Sequence, residues 1–208
     1  MIHAFPGMAA DRRMYPTAWA SLPEFHAHDW MSHAGERSIS EVACSMCEVG
    51  GIRDGDILIG TSLGGMVACE ITKLRRISAL FLVGSAVRKE EVNHLLSLLH
   101  PFARVAPLGW LQFSASKLPN ELAQMFSGIE ASFVRAMCEA VFDWEGLGPS
   151  AVPVFRLHGS HDRVIPPPAK VNLLLDGGHL ISMTHAEQCV EFIRANQALP
   201  RAAHQLCG

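Results

Sequence analysis

Apolar positions along this chain form short continuous runs, separated by stretches in which they recur every three to four residues. The runs at Ile2–Phe5 and at residues 25–30, 56–60, 79–83, 152–158 and 170–175 are bounded by Gly, Pro, Asp or Ser and predict six buried strands. Between them, Ser38-Ile39-Ser40-Glu41 is a capping box that opens a helix running towards Val49. Residues 62–74 and 182–195 carry helical patterns, the second with Cys189, Val190, Phe192 and Ile193 as its apolar positions. Strands alternating with helices predict an α/β fold: a mostly parallel sheet of about six strands flanked by helices, with residues 1–208 forming a single domain.

One stretch breaks the alternation. Residues 88–150 contain no strand signal, only helical patterns at 118–126 and 129–142, interrupted by Pro101, Pro107, Pro119 and Gly128. With Trp110, Phe113, Phe126, Phe133, Phe142 and Trp144, this insertion is expected to form a small helical cap over an apolar site. The alternative is that it simply covers the sheet.

Composition narrows the class. Of 208 residues, 49% are hydrophobic and 18% charged, which excludes a disordered chain. A net charge of −3 gives no electrostatic footprint for nucleic acid, so no nucleic-acid partner is expected. No run approaches the roughly 18 apolar residues of a membrane span, and the residues after Met1 lack a basic region followed by an apolar one. A cytoplasmic protein with no membrane partner is therefore expected, its six cysteines reduced and the tail from Gln197 loosely held. Cys44 and Cys47 have C-x-x-C spacing but sit within a predicted helix without a second pair, so neither zinc nor redox chemistry is expected there. His26, His28 and His33 lack accompanying ligand spacing and read as surface or strand-end residues, and no metal is expected.

The chemistry concentrates at Gly60-Thr61-Ser62-Leu63-Gly64-Gly65, a G-x-S-x-G match. An apolar strand leads in and an apolar helix leads out, the context of a sharp turn that lifts a serine hydroxyl above a parallel sheet. Gly60 and Gly64 leave room for a strained serine backbone, where side chains would collide across the turn. A serine nucleophile needs a base, an acid to orient the base, and donors for the oxyanion. Gly159-Ser160-His161-Asp162-Arg163-Val164-Ile165-Pro166 follows one predicted strand, and Gly177-Gly178-His179 follows the next. Asp162 and His179 therefore lie on neighbouring loops at the carboxyl ends of the strands, where ligands bind in open α/β sheets. Asp176 is nearer to His179 in sequence, but its carboxylate would have to double back through the tight Gly177-Gly178 turn. The expected oxyanion donors are the Leu63 N–H at a helix start and the Met8 N–H after the first strand.

These motifs, in this order, resemble the α/β-hydrolase superfamily in its compact esterase-like branch, and the likeness covers nearly the whole chain. Pro6-Gly7-Met8 resembles the oxyanion segment, residues 60–65 the nucleophile elbow, residues 159–166 the acid loop and residues 177–180 the histidine loop. The chain departs from the pattern in lacking the two leading strands, in carrying Pro6-Gly7 where His-Gly is common, and in Pro166-Pro167-Pro168, which crowds out the helix usual before the last strand.

The resemblance implies a catalytic triad of Ser62, Asp162 and His179, no cofactor, a small-molecule ester as substrate, and a monomer or homodimer. Ester hydrolysis on a small to medium acyl group, through an acyl-enzyme, is the expected activity. A thioesterase or carrier-protein-linked methyl ester esterase is the alternative. Against a carrier partner, residues 88–150 hold five Lys and Arg against seven Asp and Glu, and an acidic carrier favours a basic surface. A non-catalytic ligand-binding member of the fold is the alternative of another class.

Overall fold

The structure, a computed structural model, describes residues 1–92, 125, 128 and 130–197. In chain order its regular elements are β1 (Ile2–Phe5), β2 (Phe25–Ala27), α1 (Ile39–Val49), β3 (Ile57–Thr61), α2 (Leu63–Leu74), β4 (Ala79–Val83), α3 (Ala131–Asp143), β5 (Val154–Gly159), β6 (Leu173–Leu175), α4 (Ile181–Thr184) and α5 (Ala186–Asn196). Short 3₁₀ helices at Arg12–Met14, Thr17–Ser21 and Lys89–Glu91 fill connections that carry no periodic signal.

The six strands form one sheet in the order β2-β1-β3-β4-β5-β6, and every pair is parallel. Side chains alternate across it, as the two-residue strand period requires. Phe5, Leu58, Leu80 and Leu82 share a core with the buried stripes of α1 (Ile39, Val42, Ala43, Met46, Cys47) and α3 (Phe133, Met137, Ala140, Val141). Ile2, Ile59, Phe81, Val83 and Leu157 share the opposite core with Trp19 and with Cys189, Val190 and Ile193 of α5. Covered on both sides, the central strands read as continuous apolar runs, and β4 is buried at all five positions.

Boundaries moved where a neighbouring strand or a proline intervened. The run at 25–30 forms ladder only over Phe25–Ala27, with Ala27 opposite Ala4 of β1 and the His28 N–H donating to Ala4 O at 2.9 Å beyond it. Pro153 has no N–H to give a ladder, so β5 begins at Val154, though the Pro153 carbonyl still accepts from Leu80. The closing helix is two helices, α4 and α5, separated at His185, whose φ of −131° and ψ of 37° leave the helical region. The capping box at Ser38 forms in full: its hydroxyl accepts from Glu41 N–H and the Glu41 side chain accepts from Ser38 N–H. Residues 166–172 carry no helix, as the three prolines imply.

Of the 88–150 insertion, the helical pattern at 129–142 corresponds to α3, while the one at 118–126, with Trp110 and Phe113, falls outside the described residues except for Met125. His26 is exposed at the strand edge, but His28 is buried, stacked against Phe5 at 5.1 Å and hydrogen-bonded from its Nε2 to His3 Nδ1 at 2.9 Å. His28 thus follows its strand as a core residue, not a surface one. Burial, with His26 and His3 close by, pushes its pKa down to about 4.

Candidate active site

Ser62 sits between β3 and α2 with φ of 54° and ψ of −121°, a conformation that a residue with a Cβ adopts only when its surroundings impose it. Three hydrogen bonds impose it. Ser62 N–H donates to Val83 O (3.2 Å), while its carbonyl accepts from Gly65 N–H (3.0 Å) and from Ser85 Oγ (2.6 Å). A Cβ at Gly60 would overlap Gly64 and Gly65 backbone, and one at Gly64 would meet the carbonyl oxygens of Phe5 and Pro6. The glycines of the motif are thus where three segments of main chain touch: the end of β3, the start of α2 and the chain leaving β1.

His179 and Asp162 arrive from the loops after β6 and β5. His179 Nε2 lies 3.0 Å from Ser62 Oγ, and its Nδ1 lies 2.8 Å from Asp162 Oδ2. The Asp162 side chain is fully buried and that of His179 is 18% exposed. The other Asp162 oxygen accepts from Val164 N–H (2.9 Å) and Ile165 N–H (3.0 Å), so the carboxylate is held from two sides. Because Asp162 only accepts when ionised, Nδ1 carries the proton and Nε2 presents its lone pair to the serine hydroxyl. Asp176 does not take part: its side chain is 91% exposed and lies 3.2 Å from His161.

The segments that carry the proposed oxyanion donors meet at Ser62. Leu63 is the first residue of α2, and Gly7 packs so closely on Ser62 that a Cβ there would sit 3.6 Å from the Ser62 Cβ. Among the described residues, neither Leu63 N–H nor Met8 N–H is hydrogen-bonded to a protein acceptor. The segment bearing Met8 is braced throughout. Tyr15 OH donates to Phe5 O at 2.5 Å and lies 3.0 Å from Thr61 Oγ1, joining the ends of β1 and β3. Trp30 Nε1 donates to Gly7 O at 2.8 Å, and Met8 Sδ is 3.6 Å from Cys138 Sγ on α3.

Several supporting residues carry no sequence signal of their own. Gly84, after β4, has φ of +53° and lies under the acid–base pair, where a Cβ would stand 3.1 Å from His179 O and 3.4 Å from Asp162 Oδ2. Next to it, Arg156 donates to Ser85 O (3.0 Å) and pairs with Glu91 (2.7 Å), whose carboxylate also accepts from Val87 N–H. This mostly buried pair fixes the 84–91 segment against β5 and so supports Ser85, which in turn holds Ser62. His158, fully buried on β5, has no hydrogen-bond partner for either ring nitrogen among the described residues, and burial drives its pKa down to about 4, the Arg156 charge adding to the effect. Glycine and serine directly after an apolar strand was the one hint available for Gly84 and Ser85.

Among the described residues, no group of three or more His, Cys, Asp or Glu is arranged to hold a metal, and no helix is long and apolar enough to cross a membrane. A cavity of about 400 Å³ lined by Asp11, Arg12, Arg13, Asp29, Trp30 and Gly128 adjoins the Gly7–Met8 segment through Trp30.

The model of the alpha/beta hydrolase family matches residues 1–192. This chain belongs to the α/β hydrolase family. Solved structures with the same fold include a thermophilic esterase from Thermogutta terrifontis, at 19% identity and a TM-score of 0.72, covering 96% of this chain and 89% of that one. They also include an enol-lactonase from Burkholderia xenovorans (16% identity, TM-score 0.73, 93% of this chain and 89% of that one). A putative lipase from Acinetobacter baumannii is similar as well (15% identity, TM-score 0.72, 97% and 84%). At such identities the likeness is one of fold. No curated protein matches the sequence. For this α/β hydrolase the parallel sheet flanked by helices matches the family's fold, whereas the chemistry has to be argued from the side chains at its carboxyl edge.

Proposed function

We propose that this α/β hydrolase is a serine hydrolase that cleaves a carboxylic ester of small to medium acyl length through an acyl-enzyme. The observation that carries the reading is the continuous relay Ser62 Oγ–His179–Asp162, at 3.0 and 2.8 Å, built on a strained serine at the carboxyl ends of the strands.

Each step follows from that geometry. Ser62 Oγ attacks the substrate carbonyl while His179 Nε2 takes its proton; the Nδ1 proton stays on the ring, directed at Asp162, which stabilises the imidazolium. The negative charge that develops on the carbonyl oxygen is met by Met8 and Leu63 N–H groups, the latter at a helix start where the dipole favours an anion. His179 then protonates the departing alkoxide, leaving Ser62 acylated. A water molecule, deprotonated by the same Nε2, attacks the acyl carbon; collapse returns the proton to Ser62 and releases the acid. No step calls on a cofactor.

Labelling by a fluorophosphonate together with hydrolysis of p-nitrophenyl acetate tests this. Both should occur in the wild type. Ser62→Ala should fold, lose the label and lose at least about a thousandfold in kcat, leaving only oxyanion and binding contributions. Activity within tenfold of wild type in Ser62→Ala removes Ser62 from the mechanism. A fold retained for ligand binding alone would leave the wild type unlabelled.

A further inference from the structure

We propose that Trp30 is a positioning residue for the oxyanion hole: its indole N–H fixes the peptide plane that aims Met8 N–H. The inference rests on the serine-hydrolase reading and on Met8 as a donor.

The physical case begins with Gly7. Glycine has the widest backbone freedom of any residue, so a donor in the peptide following it is poorly held by the chain itself. In this protein the Gly7–Met8 peptide is trans, and a planar trans unit points its C=O and its N–H in opposite directions. Whatever fixes the Gly7 carbonyl therefore fixes the Met8 N–H. Two donors converge on that oxygen: Ala10 N–H at 3.1 Å, which closes a local turn, and Trp30 Nε1 at 2.8 Å. The first belongs to the same loop and moves with it. Trp30 stands 23 residues away, beyond β2, and supplies an external reference point. Its ring is anchored in turn, lying 5.2 Å from Phe133 of α3, which is itself buried in the core.

A half-buried indole often finds some acceptor, so the bond alone could merely satisfy the N–H. The acceptor's identity makes the difference. Of the carbonyls near the end of β1, the one bonded to Trp30 is that of Gly7, the residue packed on Ser62, and it shares its peptide with the Met8 N–H of the proposed donor pair. Trp30 acts through Met8 and touches no reacting atom, so its loss should be felt as the oxyanion forms and hardly when substrate binds.

Two replacements isolate the N–H. Trp30→Phe keeps an aromatic ring against Phe133. Incorporating benzothienylalanine at position 30 keeps the bicyclic shape and replaces only the N–H with sulfur, so it preserves the fold if the smaller ring does not. With p-nitrophenyl acetate, kcat should fall about three- to tenfold, the worth of one orienting hydrogen bond and less than the hundredfold or more for a deleted donor. KM should stay within about twofold. Affinity for a trifluoromethyl ketone, which forms a tetrahedral adduct on the serine, should fall in parallel with kcat, and the thermal midpoint of the benzothienylalanine protein should match the wild type. A purely structural role would lower the midpoint and leave the ketone and kcat effects unequal.

If the wild type turns over ester in a Ser62-dependent manner and both replacements keep full kcat and ketone affinity, the Trp30 inference is wrong and the serine-hydrolase reading stands. If the wild type shows no Ser62-dependent turnover, both fall together.

Discussion

Asp162 reaches His179 across two loops, its Oδ2 2.8 Å from Nδ1, while Asp176, three residues before that histidine, lies against His161 in solvent. The nearer carboxylate in sequence is thus the farther one in space. Strand β6 delivers both Asp176 and His179, and the turn between them is built so tightly on β5 that a Cβ at Gly159 would overlap the Gly177 and Gly178 carbonyls.

Replacing each acid in turn should separate them. Asp162→Asn should lower kcat by about three to four orders of magnitude, because an amide at that site favours the wrong imidazole tautomer. Asp176→Asn should cost less than about tenfold. Steady-state kinetics of both variants on one aryl ester provide the check, and the reverse ranking would assign the acid to the histidine loop.

Acyl-chain preference is the second expectation. The insertion at 88–150 is of modest length, so short and medium soluble esters should be favoured over long-chain emulsions. A chain-length series of aryl esters and matching acyl thioesters, run on one preparation, measures this. Faster hydrolysis of long-chain triglyceride would place the protein with lipases, and a uniform thioester preference would favour the thioesterase reading.

Acid sensitivity is the third. His158 is neutral when buried, with a folded pKa of about 4 against an ordinary value of 6.5. Between these values the unfolded chain binds more protons than the native one, so stability rises with pH across the window and is lost as pH falls from about 6.5 towards 4. At pH 5 this histidine alone should cost about 2 kcal/mol relative to pH 7, and His28, lowered likewise, should add a similar loss. His158→Leu replaces an unpaired buried ring with an apolar side chain of similar size. It should be neutral or stabilising at pH 7 and should recover about 2 kcal/mol of the loss at pH 5. Urea unfolding of both proteins at the two pH values reads this, and equal losses would show that His158 does not titrate across the window.

Local pattern determined much of this protein. The run at Ile2–Phe5, the capping box at Ser38 and the apolar run at Ala79–Val83 form where their side-chain periods place them, since burial on one or both faces depends on spacing alone. Motif order placed Ser62, Asp162 and His179 at the same edge of the sheet, because strands that run parallel bring all their carboxyl ends together. Other features depended on residues far apart in the chain. The ladder of β2 runs only as far as Ala27, opposite Ala4 of β1. The burial of His28 came from contact with His3 and Phe5, the support of Ser62 by Ser85 and Arg156 from three separate strands, and the Trp30 bond to Gly7 from a segment 23 residues away. Periodicity reports which face a side chain takes, but a hydrogen bond between distant segments depends on where both ends of a pair come to rest, and only the folded sheet fixes that.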